Sequence, residues 1–180
     1  MKKLFKLFTL FFVATTLAFA QGETKQPLEF EIKTIDNKVL HAKELANGLD
    51  IKEFKGKVVL LEFWGTHCPP CLYSIEHYKK IMNEYKDKVA MLAIEVQMTP
   101  KSALKRFVQQ KGINYYVATQ EENIHFVEYI AQRAAWRGAI PFLIVLDTKG
   151  NVIDIKIGYA SEKYVKGLIE YALDKAKKTK

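Results

Sequence analysis

Cysteine and histidine are scarce in this sequence, and their scarcity narrows the chemistry available to it. Only two of the 180 residues are cysteine and four are histidine. A chain of this length buries a sizeable apolar core, so it does not need cysteine crosslinks as a very small secreted domain does. The histidines form no second cluster that would complete a four-ligand zinc site with the cysteines. They are His41, His67, His77 and His125.

Internal repeats and low-complexity tracts are absent as well. Hydrophobic residues make up 49% of the chain and charged residues 27%, which is typical of a globular protein. The length suits a single domain, and we expect that domain to occupy residues 21–180.

The first twenty residues have a different composition from the rest. Three lysines precede a nearly unbroken apolar run from Leu7 to Ala20, which ends in Ala-Phe-Ala. These features are typical of a secretory signal, with cleavage expected after Ala20. An uncleaved membrane anchor is the alternative, but the run spans roughly 21 Å as a helix against ~30 Å of hydrocarbon. We therefore predict a signal peptide over residues 1–20 and a periplasmic location.

The net charge of +8 gives little indication of nucleic-acid binding. Without residues 1–20, 25 basic residues remain against 20 acidic ones, leaving +5. Much of the excess lies at the end of the last predicted helix, where cations complement the helix dipole. No alternation of aromatic and basic residues accompanies it, so we expect no nucleic-acid partner.

The hydrophobic pattern predicts strands alternating with helices. A hairpin (28–35 and 38–40) is followed by a loop region with a short helical turn. Then come a buried strand (58–64), a helix (69–86), a strand (89–96), a helix from the Thr99-Pro100 cap to Gly112, a strand (113–118), a helix (121–133), a hairpin (142–146 and 152–157) and a last helix capped by Ser161 that carries Tyr164, Leu168 and Tyr171. This order implies a mixed α/β sheet covered on both faces.

The two cysteines lie where a strand gives way to a helix. Residues three apart share a helix face, so Cys68 and Cys71 can form a disulfide. At the N-cap, free N–H groups and the positive end of the helix dipole favour a thiolate on Cys68. A thiolate attacks a partner disulfide, and the second cysteine resolves the mixed disulfide. The pattern predicts a redox-active pair, with Cys68 the more exposed nucleophile and Cys71 the more buried resolving residue.

A purely structural disulfide is the plainer alternative for this pair. A crosslink that closes only four residues restricts the unfolded chain by roughly 2 kcal/mol, a small stabilisation. The position at a strand–helix junction behind a signal peptide favours the redox interpretation.

The segment from Phe63 to Cys71, Phe-Trp-Gly-Thr-His-Cys-Pro-Pro-Cys, resembles the active-site segment of the thioredoxin superfamily. It is most similar to bacterial extracytoplasmic reductases of the TlpA/ResA type, which commonly read Phe-Trp-Ala-x-Trp-Cys-Pro-Pro-Cys. The similarity covers most of residues 28–175 and includes Gly56-Lys57 and the stretch from Gly138 to Asp147. Departures are His67 in place of tryptophan, and Ser74 and Glu76 where that group often has glutamate and proline.

The resemblance implies a thioredoxin-like fold: a central mixed β-sheet flanked by helices, with an N-terminal β-hairpin and an inserted helix–strand, here residues 99–118. It also implies that Pro141 is cis and lies against the two sulfurs. In that family, backbone corresponding to Ile140 and Pro141 binds substrate. A proline just before a central strand fits this role, because X–Pro bonds are where cis peptides occur.

Several side chains around the pair are candidates for supporting roles. Glu62, an acid inside an apolar strand, matches the buried carboxylate of thioredoxins, and burial would raise its pKa and suit it to shuttle a proton for Cys71. The alternative is a sheet-edge position or a lysine partner. His67 either favours the Cys68 thiolate when protonated or contacts substrate at the rim. The remaining predicted substrate contacts are Trp64, Pro69 and Pro70, whereas His77 and His125 are expected on helix surfaces.

The predicted function is reduction of protein disulfides, with apocytochrome c among the candidate substrates. Pro69 and Pro70 lack N–H groups, so the helix start offers a thiolate few donors, which favours a reducing potential. The expected partners are protein thiols and disulfides and a membrane-bound electron donor, and we expect a monomer without cofactor or metal. Two alternatives stay open: a disulfide-inserting oxidase, and a redox-inert binding protein for copper or haem, with Cys68, Cys71 and a histidine holding Cu(I). A peroxidase is disfavoured, because related peroxidases do not need such a pair.

Overall fold

The computed structural model describes residues 26–178, so the predicted signal peptide lies outside the described residues. Its strands are β1 (Glu29–Lys33), β2 (Val39–Leu45), β3 (Gly48–Ile51), β4 (Val58–Trp64), β5 (Val89–Glu95), β6 (Tyr116–Thr119), β7 (Phe142–Leu146) and β8 (Val152–Ile157). Its helices are α1 (Pro69–Tyr85), α2 (Lys101–Lys111), α3 (Ile124–Arg133) and α4 (Glu162–Lys178). Within the described residues, none of the helices has the length and apolarity required to cross a bilayer.

The central sheet has five strands in the order β6-β5-β4-β7-β8. β4 pairs in parallel with β5, as β5 does with β6, whereas β7 runs antiparallel to both β4 and β8. Every residue of β4 and of β5 is buried, as expected for strands covered on both faces. The mixed sheet and the α2–β6 insertion confirm the predicted fold.

The N-terminal hairpin is part of a three-stranded antiparallel sheet, β1-β2-β3. The prediction of a loop directly after residue 40 is wrong, because β2 continues to Leu45 and turns into β3. Gly48 explains the tight turn: its φ is +151°, and a Cβ there would lie 2.0 Å from the Gly150 carbonyl oxygen. Leu49 donates its N–H to that oxygen (2.9 Å), which ties β3 to the turn between β7 and β8. The short helical turn follows at Lys52–Phe54.

Two separate apolar clusters fill the two faces of the central sheet. The small sheet and α3 pack on one face, where β4 contributes Leu61 and Phe63. Helices α1, α2 and α4 pack on the other, where β4 contributes Leu60 and Trp64. Side chains alternate along a strand, so Glu62 points to the second face, the one that carries the two cysteines.

Two helix predictions need correction. Thr99 does not cap α2: its hydroxyl donates to Glu95 Oε1 (2.8 Å), and the helix begins at Lys101 after Pro100.

In α4 the buried residues are Val165, Ile169 and Ala172. The predicted row differs, because Tyr164 and Tyr171 are exposed. The Ser161 cap is confirmed, since its Oγ accepts the Tyr164 N–H at 3.2 Å.

His77 is buried and is not the helix-surface residue predicted from the sequence, whereas His125 is exposed as expected. Only 5% of His77 is exposed, and its ring lies edge-on to Tyr78 and Tyr159. Its Nε2 has no hydrogen-bond partner among residues 26–178. Burial lowers the pKa of His77, against an opposing effect of the nearby Glu162 carboxylate.

Candidate active site

The two cysteines form a disulfide at the N-terminus of α1, with Cα atoms 5.2 Å apart. Cys68 is the N-cap residue, as predicted, and its Sγ accepts the Cys71 N–H at 3.3 Å. Pro69 and Pro70 occupy the first two helical positions and have no N–H to donate. The helix terminus therefore directs a single backbone N–H at the Cys68 sulfur.

Both cysteines are buried in this oxidised state. Cys68 is 6% exposed and Cys71 is 2% exposed, which follows the predicted order with a small difference. The rim above them is formed by His67 and Pro69, which are exposed, and by the half-buried Pro70. Tyr73, four residues after Pro69 and so on the same helix face, is 74% exposed. Tyr73 was missed from the sequence, although an aromatic side chain one turn after a Pro-Pro helix start was a usable signal.

His67 is positioned by one contact of its backbone and one contact of its ring. Its N–H donates to Gln97 Oε1 (2.8 Å), and its ring Nδ1 lies 3.1 Å from Thr66 Oγ1. Gly65 permits the first contact, because a Cβ on that residue would lie 2.2 Å from Gln97 Oε1. The loop after β5 therefore packs directly on the segment that precedes Cys68.

Glu62 lies in the core, on the face of the sheet that α1 covers. It is not at a sheet edge, since β4 is the middle strand, and no lysine among residues 26–178 pairs with it, so the structure supports neither alternative for this residue. Burial raises the pKa of Glu62 to about 8, and a hydrogen bond from the Tyr78 side chain opposes the shift. Its Oε1 has no hydrogen-bond partner in the described part of the chain.

Two tyrosines that the sequence analysis did not single out surround Glu62. Tyr78 lies seven residues after Cys71, on the buried face of α1, and Tyr115 comes from the loop before β6. Burial, together with the neighbouring Glu62 carboxylate, raises the pKa of both phenols well above the usual range. All three groups are therefore favoured in the protonated state near pH 7.

Trp64 is a core residue in this structure. Its side chain belongs to the apolar cluster that contains both cysteines, and its ring centroid lies 5.8 Å from that of Phe107 in α2. The residue is only 2% exposed, so the indole shapes the site from below and offers no surface to a substrate in this state.

The Ile140–Pro141 peptide bond is cis, as the resemblance implied. The Pro141 carbonyl accepts the Gly158 N–H (2.8 Å), and the half-buried Ile140 packs against the cluster that contains the two cysteines. Trp136 holds the preceding loop: its Nε1 donates to the Ala139 carbonyl (2.7 Å), and its ring stacks on Phe142. Trp136 was missed from the sequence, where its place in a loop gave no periodic pattern.

The mixed sheet and the capped cysteine pair place the protein among the thioredoxin-like thiol–disulfide oxidoreductases. Comparison with family models supports this class, since the Redoxin model matches residues 31–170. The chain belongs to the Redoxin family.

Curated relatives carry names of the same class. The thiol–disulfide oxidoreductase ResA of Halalkalibacterium halodurans is 27% identical over 123 residues, which span 68% of this chain and 66% of that protein. The thioredoxin-like protein YneN of Bacillus subtilis is 27% identical over 143 residues, 78% of this chain and 75% of the relative. The matched part of the chain thus spans about two thirds to three quarters of these relatives.

Solved structures share the fold. A thiol:disulfide interchange protein from Chlorobium tepidum TLS superposes with a TM-score of 0.67 and 22% identity, over 82% of this chain and 96% of that one. StoA from Bacillus subtilis superposes with a TM-score of 0.58 and 19% identity, over 78% and 96%. These similarities establish the thioredoxin-like architecture.

Proposed function

We propose that the protein is an exported, periplasmic oxidoreductase that reduces disulfides in other proteins. The observation that carries the proposal is the Cys68–Cys71 disulfide at the N-terminus of α1, with Cys68 at the cap. Relatives that are 27% and 29% identical to the chain are named thiol–disulfide oxidoreductases. The proposal includes a signal peptide over residues 1–20 and a mature domain over residues 21–180.

The reduced protein would work in two exchange steps. The Cys68 thiolate attacks one sulfur of the substrate disulfide, forming an intermolecular disulfide and releasing the other substrate sulfur as a thiolate. The Cys71 thiolate then attacks Cys68 Sγ, which releases the second substrate sulfur and closes the Cys68–Cys71 disulfide. Two electrons pass from the protein to the substrate, and a membrane-bound dithiol donor would return them.

Glu62 is the proposed proton acceptor for Cys71. The resolving thiol must lose a proton before it can attack, and it lies on the sheet face to which Glu62 points. A carboxyl group with a pKa of about 8 exchanges protons readily near neutral pH, because both its forms are populated there. Tyr78, which hydrogen-bonds Glu62, would keep the carboxyl group oriented.

The reducing direction is inferred from the start of α1. A stabilised thiolate makes a pair more oxidising, and here the two prolines leave only the Cys71 N–H to donate to the Cys68 sulfur. We therefore expect a reducing potential, measured by equilibration with glutathione. A value more oxidising than roughly −150 mV would replace the reductase with a disulfide-inserting oxidase.

Insulin reduction tests the activity. We expect the wild-type protein to precipitate the insulin B chain in the presence of dithiothreitol, and the Cys68→Ser variant to give only the uncatalysed rate. Cys71→Ser should retain the first exchange step and accumulate mixed disulfides with exported proteins, including apocytochromes c if they are substrates. Equal rates for wild type and Cys68→Ser would contradict the proposal and favour a redox-inert binding protein.

Export is tested separately by fractionation and N-terminal sequencing. We expect the mature protein in the periplasmic fraction, beginning at Gln21. Retention of residues 1–20 in the membrane fraction would show that the segment is an anchor.

A further inference from the structure

The loop between β5 and α2 connects a buried carboxylate to the histidine beside the attacking cysteine. Glu95, the last residue of β5, is fully buried, and its carboxylate accepts three hydrogen bonds. The donors are the Gln97 N–H (3.1 Å), the Thr99 N–H (3.0 Å) and the Thr99 hydroxyl (2.8 Å). Thr99 Oγ1 then lies 2.8 Å from Thr66 Oγ1, which lies 3.1 Å from His67 Nδ1.

The positions of the protons in this chain follow by elimination. A carboxylate can only accept, so the single proton of the Thr99 hydroxyl is directed at Glu95. Thr99 Oγ1 can then only accept from Thr66, which uses the single proton of Thr66. Thr66 Oγ1 in turn can only accept from His67, so the ring must carry a proton on Nδ1.

We propose that Glu95, Thr99 and Thr66 form an ordered hydrogen-bond relay that holds the proton of neutral His67 on Nδ1 and leaves Nε2 as an acceptor for the incoming protein. His67 is exposed at the rim of the site, adjacent in sequence to Cys68. The three relay members are positioning residues, since each acts through the histidine. Gln97 belongs to the same arrangement, because its side chain accepts the His67 backbone N–H while its own N–H is bound to Glu95.

The relay makes a specific prediction about a residue that does not touch His67. In the Thr99→Val variant, the Thr66 hydroxyl loses its acceptor and becomes free to donate to Nδ1. The proton of neutral His67 should therefore move to Nε2, although Thr66 and His67 are both unchanged. Thr66→Val should have the same effect on the tautomer, and Thr66→Ser, which keeps the hydroxyl, should preserve the wild-type state.

The tautomer is measured with ¹⁵N-labelled full-length oxidised protein, by two-bond ¹H–¹⁵N correlation at about pH 8.5, where neutral histidine dominates. His67 is assigned by the signal that disappears in His67→Gln. We expect Nδ1–H to be the major form in wild type and Thr66→Ser, and Nε2–H in Thr99→Val and Thr66→Val. Thr119→Val is the matched control: this threonine is the strand neighbour of Glu95 in β6, but its hydroxyl contacts Glu122 and not the hydroxyl groups of the relay. A major Nε2–H form in the wild type, or no change in either valine variant, would overturn the relay.

The effect on catalysis rests on the proposed function and needs a second readout. If the relay acts through His67, Thr99→Val should lower kcat/KM for insulin in the wild-type background and have no effect in the His67→Gln background. An equal loss in both backgrounds would show that Thr99 only stabilises the loop. Because the tautomer is read without turnover, failure of the relay and failure of the proposed activity give different results.

Discussion

The two faces of the central sheet differ in chemistry although they are similar in burial. The face covered by the small sheet and α3 is packed with aliphatic and aromatic side chains, including the Phe63, Trp136 and Phe142 group. The face covered by α1, α2 and α4 carries the disulfide, Glu62, Tyr78 and His77. We call them the apolar face and the redox face.

Among the residues that the structure describes, the unsatisfied buried polar atoms lie on the redox face. In the described part of the chain, the buried side-chain nitrogen and oxygen atoms without a hydrogen-bond partner are Glu62 Oε1, Trp64 Nε1 and His77 Nε2. Each unpaired buried polar group costs about 1–3 kcal/mol, so the apolar face must supply a disproportionate share of the stability. Side chains that are neighbours on β4 can therefore serve stability on one face and chemistry on the other.

The largest effect is expected from Leu61→Ala, which tests the apolar face. Leu61 is fully buried, and its truncation should lower the free energy of unfolding by about 3 to 4 kcal/mol through lost burial and a cavity. The potential of the Cys68–Cys71 pair should stay the same, because the side chain points away from it. Urea unfolding and glutathione equilibration measure the two quantities. A potential shift above about 30 mV, equivalent to 1.4 kcal/mol, would break the separation of the faces.

Glu62→Gln, one residue further along β4, tests the redox face. Unlike Leu61→Ala, it should change the pH dependence of the unfolding free energy. Because the folded-state pKa of Glu62 is raised from 4.5 to about 8, its stabilising contribution is complete below pH 4.5 and is lost as the pH rises towards 8. Between pH 5 and pH 8 we expect the wild type to lose about 3 kcal/mol of unfolding free energy that the glutamine variant does not lose.

The measurement for Glu62 is urea unfolding of the oxidised proteins at several pH values. Disulfide-bonded cysteines do not titrate, so the difference between wild type and Glu62→Gln isolates the carboxyl group. Leu61→Ala serves as the control, with lower stability and an unchanged pH dependence. Parallel pH curves for wild type and Glu62→Gln would show that the pKa of Glu62 is not raised in the folded protein, which would leave the carboxylate too weak a base for the proposed proton transfer.

The sequence predicted the elements that repeat a simple pattern. The continuous apolar runs of β4 and β5 and the cysteine spacing led to the correct sheet and disulfide, because burial on both faces and helix geometry depend on local sequence. β3 was missed because four residues are too few to show alternation. The role of Thr99 was misjudged because its hydroxyl, which suits an N-cap, is taken by Glu95 in the preceding strand.

Residues whose environment comes from distant elements could not be placed from sequence. His77 follows the exposed Glu76 in α1, and its burial depends on the packing of Tyr159 and the start of α4 against α1. Trp136 is fixed by an Ala139 carbonyl within an irregular loop, and Tyr78 meets Glu62 only once β4 and α1 pack together. The polar groups of the redox face are thus the part that a one-dimensional pattern reveals least.

His77→Phe should have the smallest effect, and it sharpens the comparison within the redox face. Burial lowers the folded-state pKa of His77, so its contribution to stability is complete above pH 6.5 and is lost as the pH falls below that value. This sign is opposite to that of Glu62, so in the wild type the two groups partly offset each other in weak acid. Compared with wild type, His77→Phe should gain stability on going from pH 7 to pH 5, as measured by urea unfolding. His125→Phe, at an exposed site on α3, is the matched control and should follow the wild-type pH dependence. If His77→Phe also follows the wild-type pH dependence, the pKa of His77 is not lowered in the folded protein. The buried ring would then be protonated in weak acid, although its Nε2 has no hydrogen-bond partner among the described residues.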